Sequence, residues 1–372
     1  GEDPEALGAL ANLYDKQEAW RELVDVLERQ FDIAAADEDR VNILTRRART
    51  FSDKLQRDEL ALEDWNRVLD IDYANLAALR ATAQIRRRQN DPNELVTALH
   101  QTVDRASNLL DPEELKEIFR ELGKTYGDTL GQAFDAADAW RKLLEVGQDF
   151  EAYDALEKIY TAEENWKDVI DVKMQRAAAL EDPTQKIEEL RSAAYMWDSK
   201  VGDPDAATPA WQKILEIDGK HDEAFSQLEK LHTAANRWEP LIELYLARLE
   251  SREETADKTD LLRKIARVFE EKLDDKNQAL DALINALGED FHDRETAKYL
   301  ERMAQATGRW GEVIQTANNW LQQQSESSEK IRLCLHLAKW YGDDLGHPEY
   351  AQPYYAQIVN LDPNNVGALR QM

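Results

Sequence analysis

The chain has one cysteine, Cys334, in 372 residues, so no disulfide can form within it. Leu333 and Leu335 flank that thiol in an apolar helical stretch. It reads as a packed thiol rather than a reactive one, and it leans toward a reducing, cytoplasmic setting. Glycine (14) and proline (10) are scarce, which removes the commonest helix breakers. No stretch alternates apolar and polar residues long enough to make a convincing strand. No apolar run approaches the roughly 20 residues that a spanning helix needs, and no signal peptide is visible at the start. The six histidines, His100, His221, His232, His292, His336 and His347, include no i, i+4 pair. There is no H-E-x-x-H, no Cys/His cluster and no G-x-S-x-G, G-x-G-x-x-G or P-loop. Neither a nucleophile–base pair nor a metal-ligand spacing is present, so we expect no enzyme, no metal and no cofactor. Positive charge is in deficit, with 47 basic against 75 acidic residues and a net charge of −28. Such a surface repels nucleic-acid phosphates and anionic lipid headgroups, and it keeps the chain soluble.

What is present is a period. Trp166, Trp238 and Trp310 stand 72 residues apart (238 − 166 = 72, 310 − 238 = 72). Trp20 and Pro92 continue the series upstream, with two extra residues between Pro92 and Trp166. A second ladder interleaves with the first: Trp65, Trp140, Trp211, Leu283 and Tyr355. Two ladders of one period mean one structural unit copied about five times, which decides the architecture ahead of local signals. Each Trp is expected to pack in a core.

Helix starts are marked by Asp-Pro. Asp3-Pro4, Asp91-Pro92, Asp111-Pro112, Asp182-Pro183, Asp203-Pro204 and Asp362-Pro363 all fit an Asp N-cap followed by Pro in the first helical position. The carboxylate accepts from orphaned N–H groups, and Pro lacks the N–H that would go unused. The apolar spacing between these marks is helical, as in Leu23, Val26 and Leu27 or Leu241, Leu244 and Tyr245. It predicts about four helices per module, or two antiparallel hairpins of about 36 residues each. Pro209 and Pro353 fall in one column inside apparent helices. Either those helices start late or they bend there.

At this spacing the chain resembles the tetratricopeptide repeat, a helix hairpin with an A-x3-aromatic element in its second helix. That element recurs as Ala61/Trp65, Ala136/Trp140, Ala207/Trp211 and Ala351/Tyr355, while Ala279/Leu283 keeps the spacing without the aromatic. The preceding helix carries a small residue and then an aromatic: Ala48/Phe51, Gly123/Tyr126, Ala194/Trp197, Ala266/Phe269 and Ala338/Tyr341. A small residue lets two helix axes approach, and the large one fills the hole beside it. The alternating hairpins are degenerate, with Ala11, Ala83, Glu157, Glu229 or Glu301 at the small position. The resemblance implies an all-α, right-handed superhelical solenoid in one domain over residues 1–372, with no linker. The opening Gly1, and the stop at Met372 a few residues into another helix, are what an excised piece of a longer chain would show.

The resemblance also implies that the first helix of each hairpin lines a concave groove. Mapped so, one column reads Thr45, Arg120, Arg191, Arg263 and Leu335. The next, four residues on, reads Arg49, Lys124, Tyr195, Arg267 and Lys339. Cations thus repeat along one stripe of an acidic chain. One reading is a groove for an acidic segment or a terminal carboxylate, with Arg49, Arg120, Lys124, Arg191, Tyr195, Arg263, Arg267 and Lys339 as its binding residues. The other is intrahelical pairing at i, i+3, through Glu117–Arg120, Glu188–Arg191 and Asp260–Arg263. The Arg86, Arg87 and Arg88 cluster complements a helix C-terminus and needs no nucleic acid. The expected function is a non-catalytic scaffold that binds a peptide, tail or partner helix. The alternative is a regulatory or spacer segment with no ligand of its own.

Overall fold

A computed structural model of the chain describes residues 3–372. Helices account for nearly all of it, and no strand occurs among the described residues. The chain divides into two compact units, Gly1–Ala179 and Leu180–Met372. The first holds α1 (Pro4–Lys16), α2 (Trp20–Ile33), α3 (Asp37–Arg49), α4 (Asp58–Ile71), α5 (Leu76–Gln89), α6 (Pro92–Ala106), α7 (Pro112–Lys124), α8 (Ala133–Val146), α9 (Phe150–Ala162) and α10 (Trp166–Ala179). The second holds α11 (Pro183–Met196), α12 (Thr208–Ile217), α13 (Asp222–Ala234), α14 (Trp238–Ser251), α15 (Thr255–Glu271), α16 (Lys276–Glu289), α17 (Arg294–Thr307), α18 (Trp310–Gln323), α19 (Ser327–Lys339), α20 (Pro348–Leu361) and α21 (Val366–Gln371). Within each unit, successive helices pack on one another as hairpins.

The caps explain most of the starts. Asp3, Asp91, Asp111, Asp182 and Asp203 each accept a backbone N–H in the first turn that follows. Asp203 opens a short 3-10 turn, Pro204–Ala207, and α12 begins after it. Asp362-Pro363 is a correction to the expectation, because Asp362 closes α20 and Asn365 caps α21. The Asp362 carboxylate serves the turn instead, accepting from the Asn364 N–H at 3.2 Å and the Asn365 amide at 3.2 Å. A second cap column carries no proline: Asn75, Asp149, His221, Asp293 and Asn365 each accept from an early N–H of the helix that follows. The two interior prolines part ways. Pro209 is the second residue of a late-starting α12, whereas Pro353 lies inside α20.

The first helices of the strong hairpins share an ending. The N–H of Arg57 donates to the Phe51 carbonyl six residues back, at 2.8 Å. Gln132 to Tyr126, Asp203 to Trp197, Asp275 to Phe269 and His347 to Tyr341 repeat the bond at 2.7–2.9 Å. The residue before each donor has positive φ: Gln56, Gly131, Gly202, Asp274 and Gly346. Three of the five are glycine, the residue that enters the left-handed region without Cβ strain. Another left-handed column, Glu18, Asn90, Glu164, Asn236 and Gly308, sits two residues before the first ladder.

The two ladders differ in burial. Trp65, Trp140 and Trp211 are 2–4% exposed, and the small residues beside them are buried too. Trp65 shares one core with Ala48, Phe51 and Ala61. Trp20, Trp166 and Trp238 are only half-buried, although Trp310 is 6% exposed. Core packing is therefore complete in the second ladder's tryptophans and partial in the first ladder, where Trp20 still packs against the core of Leu7, Ala11, Leu23, Val26 and Leu27. Lys54 lies 5.0 Å from the Trp20 ring centre, and Lys272 lies 5.4 Å from that of Trp238. Each contact is worth about 0.5–1 kcal/mol at an exposed site.

Where glutamate replaces the small residue of the degenerate hairpins, it becomes an acceptor for a neighbouring helix. Glu157 binds Lys173 at 2.8 Å. Glu229 accepts from the Tyr245 hydroxyl at 2.7 Å and binds Lys264 at 3.1 Å. Glu301 accepts from the Trp340 indole at 3.0 Å.

Candidate functional site

The candidate cations lie on α3, α7, α11, α15 and α19, in the register that the small-residue column dictates. Most are already engaged. Arg120 on α7 donates to Asp149 at 2.6 Å and reaches Glu151 at 3.4 Å, both at the start of α9. Arg191 on α11 binds Glu223 on α13 at 2.9 Å. Arg263 on α15 binds Glu295 at 2.9 Å and Asp293 at 3.3 Å, at the start of α17. The strut therefore repeats, with Glu151, Glu223 and Glu295 spaced 72 residues apart (223 − 151 = 72, 295 − 223 = 72), and Asp149 and Asp293 add a second acid where the middle copy has His221.

The intrahelical pairs contribute less. Arg191–Glu188 spans 3.4 Å and Arg263–Asp260 spans 3.5 Å. Arg120 makes no ion pair with Glu117 among the described residues. Where the arginine is absent, so is its acid: Thr45 in the first copy corresponds to Ala77, and Leu335 in the last to Gly367. Cation and carboxylate come and go together, as members of one contact do. Sequence reasoning missed these partners because they lie 29–32 residues away, beyond any helical spacing. The recurrence of Glu151, Glu223 and Glu295 was the available signal.

The second column is mixed. Lys124 binds Glu151 at 2.7 Å, and Lys339 pairs with Glu301. The Tyr195 hydroxyl donates to Glu223 at 2.5 Å. That bond, with burial opposing and Arg191 assisting, holds the Glu223 carboxyl below the usual carboxylate range. Burial disfavours the charged form of Asp149, but the Arg120 bond and the Ala152 N–H outweigh it and lower its pKa. Arg49 and Arg267 are exposed and make no ion pair with any described residue.

Arg49 opens on a pocket of about 350 Å³ between α1 and α3, lined also by Trp20, Asn42, Thr45, Arg46 and Lys54. Two carboxylates line it as well, Asp15 and Asp53, so three cations face two acids. Asp15 holds Arg46 at 2.7 Å, and Lys54 lies over the Trp20 ring.

Other chemistry is sparse. Cys334 is fully buried, and that burial raises its thiol pKa to about 11. Among the described residues, no group of three or more His, Cys, Asp or Glu is placed to hold a metal. None of the helices is long and apolar enough to cross a membrane.

A tetratricopeptide repeat family model matches residues 6–41, which cover the α1–α2 hairpin and the start of α3. The chain is an all-α helical-repeat protein whose first hairpin matches this family. No curated protein matches it. Among solved structures, the repeat protein is similar to Naa15/Naa10 bound to HypK-THB, at 14% identity over 99% of this chain, with TM-score 0.35. It spans 60% of the length of that chain. A tetratricopeptide repeat protein from Parabacteroides merdae is 12% identical over 82% of this chain and 99% of its own, with TM-score 0.32. The C-terminal part of a repeat-containing protein from Cytophaga hutchinsonii is 18% identical over 61% of this chain and 88% of its own, with TM-score 0.32. Beyond residue 41 the repeat protein keeps the hairpin pattern through its own recurring cap columns.

Proposed function

We propose that this repeat protein is a non-catalytic protein-interaction scaffold that takes an extended peptide or tail carrying a free carboxylate. The observation that carries the reading is Arg49, an exposed cation without an ion pair among the described residues, opening on the pocket between α1 and α3. Its neighbours there suit a carboxylate: Asn42 and Thr45 supply neutral polar groups, and Arg46 and Lys54 make cations outnumber acids locally. In a chain at −28 that reversal of sign is confined, and a guanidinium offers paired donors to a carboxylate. Arg120, Lys124, Arg191, Tyr195, Arg263 and Lys339 take a secondary place, since an acidic ligand must displace Glu151, Glu223, Glu295 or Glu301 to reach them. Arg267 is the corresponding open cation of the second unit. The columns continue from the first unit into the second, with offsets of one to three residues from the 72-residue period in the earlier modules, which supports one repeat array.

The test is titration with a capped peptide ending in Asp-Glu, as free acid and as C-terminal amide. The free acid should bind more tightly, weaken as salt rises, and lose roughly tenfold or more on Arg49→Gln. Equal binding of acid and amide, or no effect of Arg49→Gln, would overturn the carboxylate reading.

A further inference from the structure

A cleft of about 460 Å³ lies between α7, the start of α8 and α9 in the first unit. Small residues line it: Gly123, Gly127, Ala133 and Ala155, with Ile159 and the Trp140 indole beside them. Phe134, next to Ala133, is 76% exposed, the highest value of any large apolar side chain described.

The other copies of the module show what this space accommodates. Tyr195 stands where Lys124 stands here (195 − 71 = 124, the offset of Trp211 from Trp140). Its ring meets the Trp211 indole edge-on, with centres 5.4 Å apart at 89°, and its hydroxyl donates to Glu223. Tyr299 stands one copy further, where Ala155 stands here (299 − 144 = 155). It reaches back from α17 to Glu270 at 2.6 Å, and Glu270 occupies the position of Gly127 (270 − 143 = 127). Two copies thus place a tyrosine in this space, one from each wall. The copy built on α7 to α10 has lysine, glycine and alanine at those positions and leaves the space open. Glu151, the counterpart of the phenol acceptor Glu223, is retained on its rim.

We infer that this cleft receives a tyrosine side chain of a partner protein, from a segment with basic residues on either side. The ring would lie against Trp140 as Tyr195 lies against Trp211, an arrangement aromatic pairs favour. Its hydroxyl would donate to Glu151, as that of Tyr195 donates to Glu223. The basic flanks follow from the rim: Arg120 and Lys124 engage Glu151 and Arg176 engages Asp154, which leaves Asp128 and Glu163 with Lys158 alone. Asp128, Glu163 and Lys158 have no ion pair among the described residues, and the chain as a whole is at −28. A cationic segment is drawn in, and an acidic one is repelled.

The test uses the full chain with methyl-labelled alanine and isoleucine, titrated with the capped peptide Arg-Ala-Tyr-Ala-Arg and watched by NMR. Methyl shifts at Ala133, Ala155 and Ile159 are expected. Replacing the peptide tyrosine by alanine should weaken binding roughly tenfold, the scale of one buried aromatic side chain. Replacing its arginines by glutamates should abolish the shifts. Ala155→Tyr places in this copy the residue that the next-but-one copy carries, and should remove binding with the melting temperature unchanged. Lys124→Tyr does the same from the opposite wall, and decides the matter if the first variant folds poorly. Arg49→Gln should have no effect, which separates this cleft from the carboxylate pocket. Absence of shifts at 2 mM peptide, equal binding of the alanine peptide, or binding that survives both tyrosine variants would overturn the proposal. Equal binding of the glutamate peptide would overturn its basic flanks.

Discussion

Gly123→Ala is a sharp test of how the second ladder packs. Alanine occupies this column in the other four copies, so the change looks harmless in sequence. By intrinsic preference it should also help, since alanine is better than glycine inside a helix by about 1 kcal/mol. The structure reverses the sign. A Cβ at Gly123 would stand 2.5 Å from Cε2 of Trp140 and 2.7 Å from its Nε1. That indole is 4% exposed and packed in the core. Forcing a carbon into a packed site costs about 1–3 kcal/mol. The upper part of that range applies to a buried, rigid ring, so about 1 kcal/mol of destabilisation remains after the helix gain. The fourth copy shows a compatible pair, Ala266 with Leu283. Trp140→Leu should therefore cost less in the Gly123→Ala background than alone, with a coupling of about 1 kcal/mol. Hydrogen exchange across α7, α8 and α9 is the suitable assay, because repeat arrays lose stability locally. Stabilisation of these amides by the single change, with strictly additive behaviour of the double, would refute the packing argument.

Glu164→Asn should stabilise the α9–α10 hairpin by about 0.5 kcal/mol, because Glu164 sits at φ 55° in a column where Asn90, Asn236 and Gly308 also occur and asparagine tolerates that region better; thermal unfolding that is unchanged or earlier would count against it. Tyr195→Phe should move the Glu223 carboxyl back up toward its ordinary value of 4.5, since the phenol is the main cause of its depression. A depressed carboxylate stabilises the fold above its unfolded pKa and loses that contribution as pH falls through its folded one. The variant should therefore lose less stability than wild type on acidification below pH 4.5, and NMR titration of Glu223 reads the shift directly.

The architecture was legible because its causes are local or periodic. The 72-residue ladders, the Asp caps before Pro4, Pro92, Pro112 and Pro183, and the small-then-aromatic columns all act over a few residues or repeat at a fixed interval. Helix starts and the hairpin pairing follow from them. The failures mark where local rules end. Asp362-Pro363 has the cap sequence, but α20 runs up to Asp362 and the next helix waits for Asn365. Pro209 and Pro353 share a column, yet only the first delays its helix, because Asp203 opens a separate 3-10 turn ahead of it. Trp20 and Trp238 obey the same period as Trp310 and are less fully buried than it.

The candidate site shows the same division. Sequence placed Arg120, Arg191 and Arg263 in one column and offered their own-helix acids as partners. Helix packing instead brings Asp149, Glu223 and Glu295 to them from two helices later, so these three arginines carry internal struts while Arg49 and Arg267 stay open. The open cleft beside Trp140 is also a product of packing, since Lys124, Gly127 and Ala155 come from two different helices. Sequence by itself determined the repeat, the helices and the columns, because those depend on spacing along one chain. Only the tertiary structure decided which charges are spent and which surfaces are left empty, because that depends on which helix lies next to which.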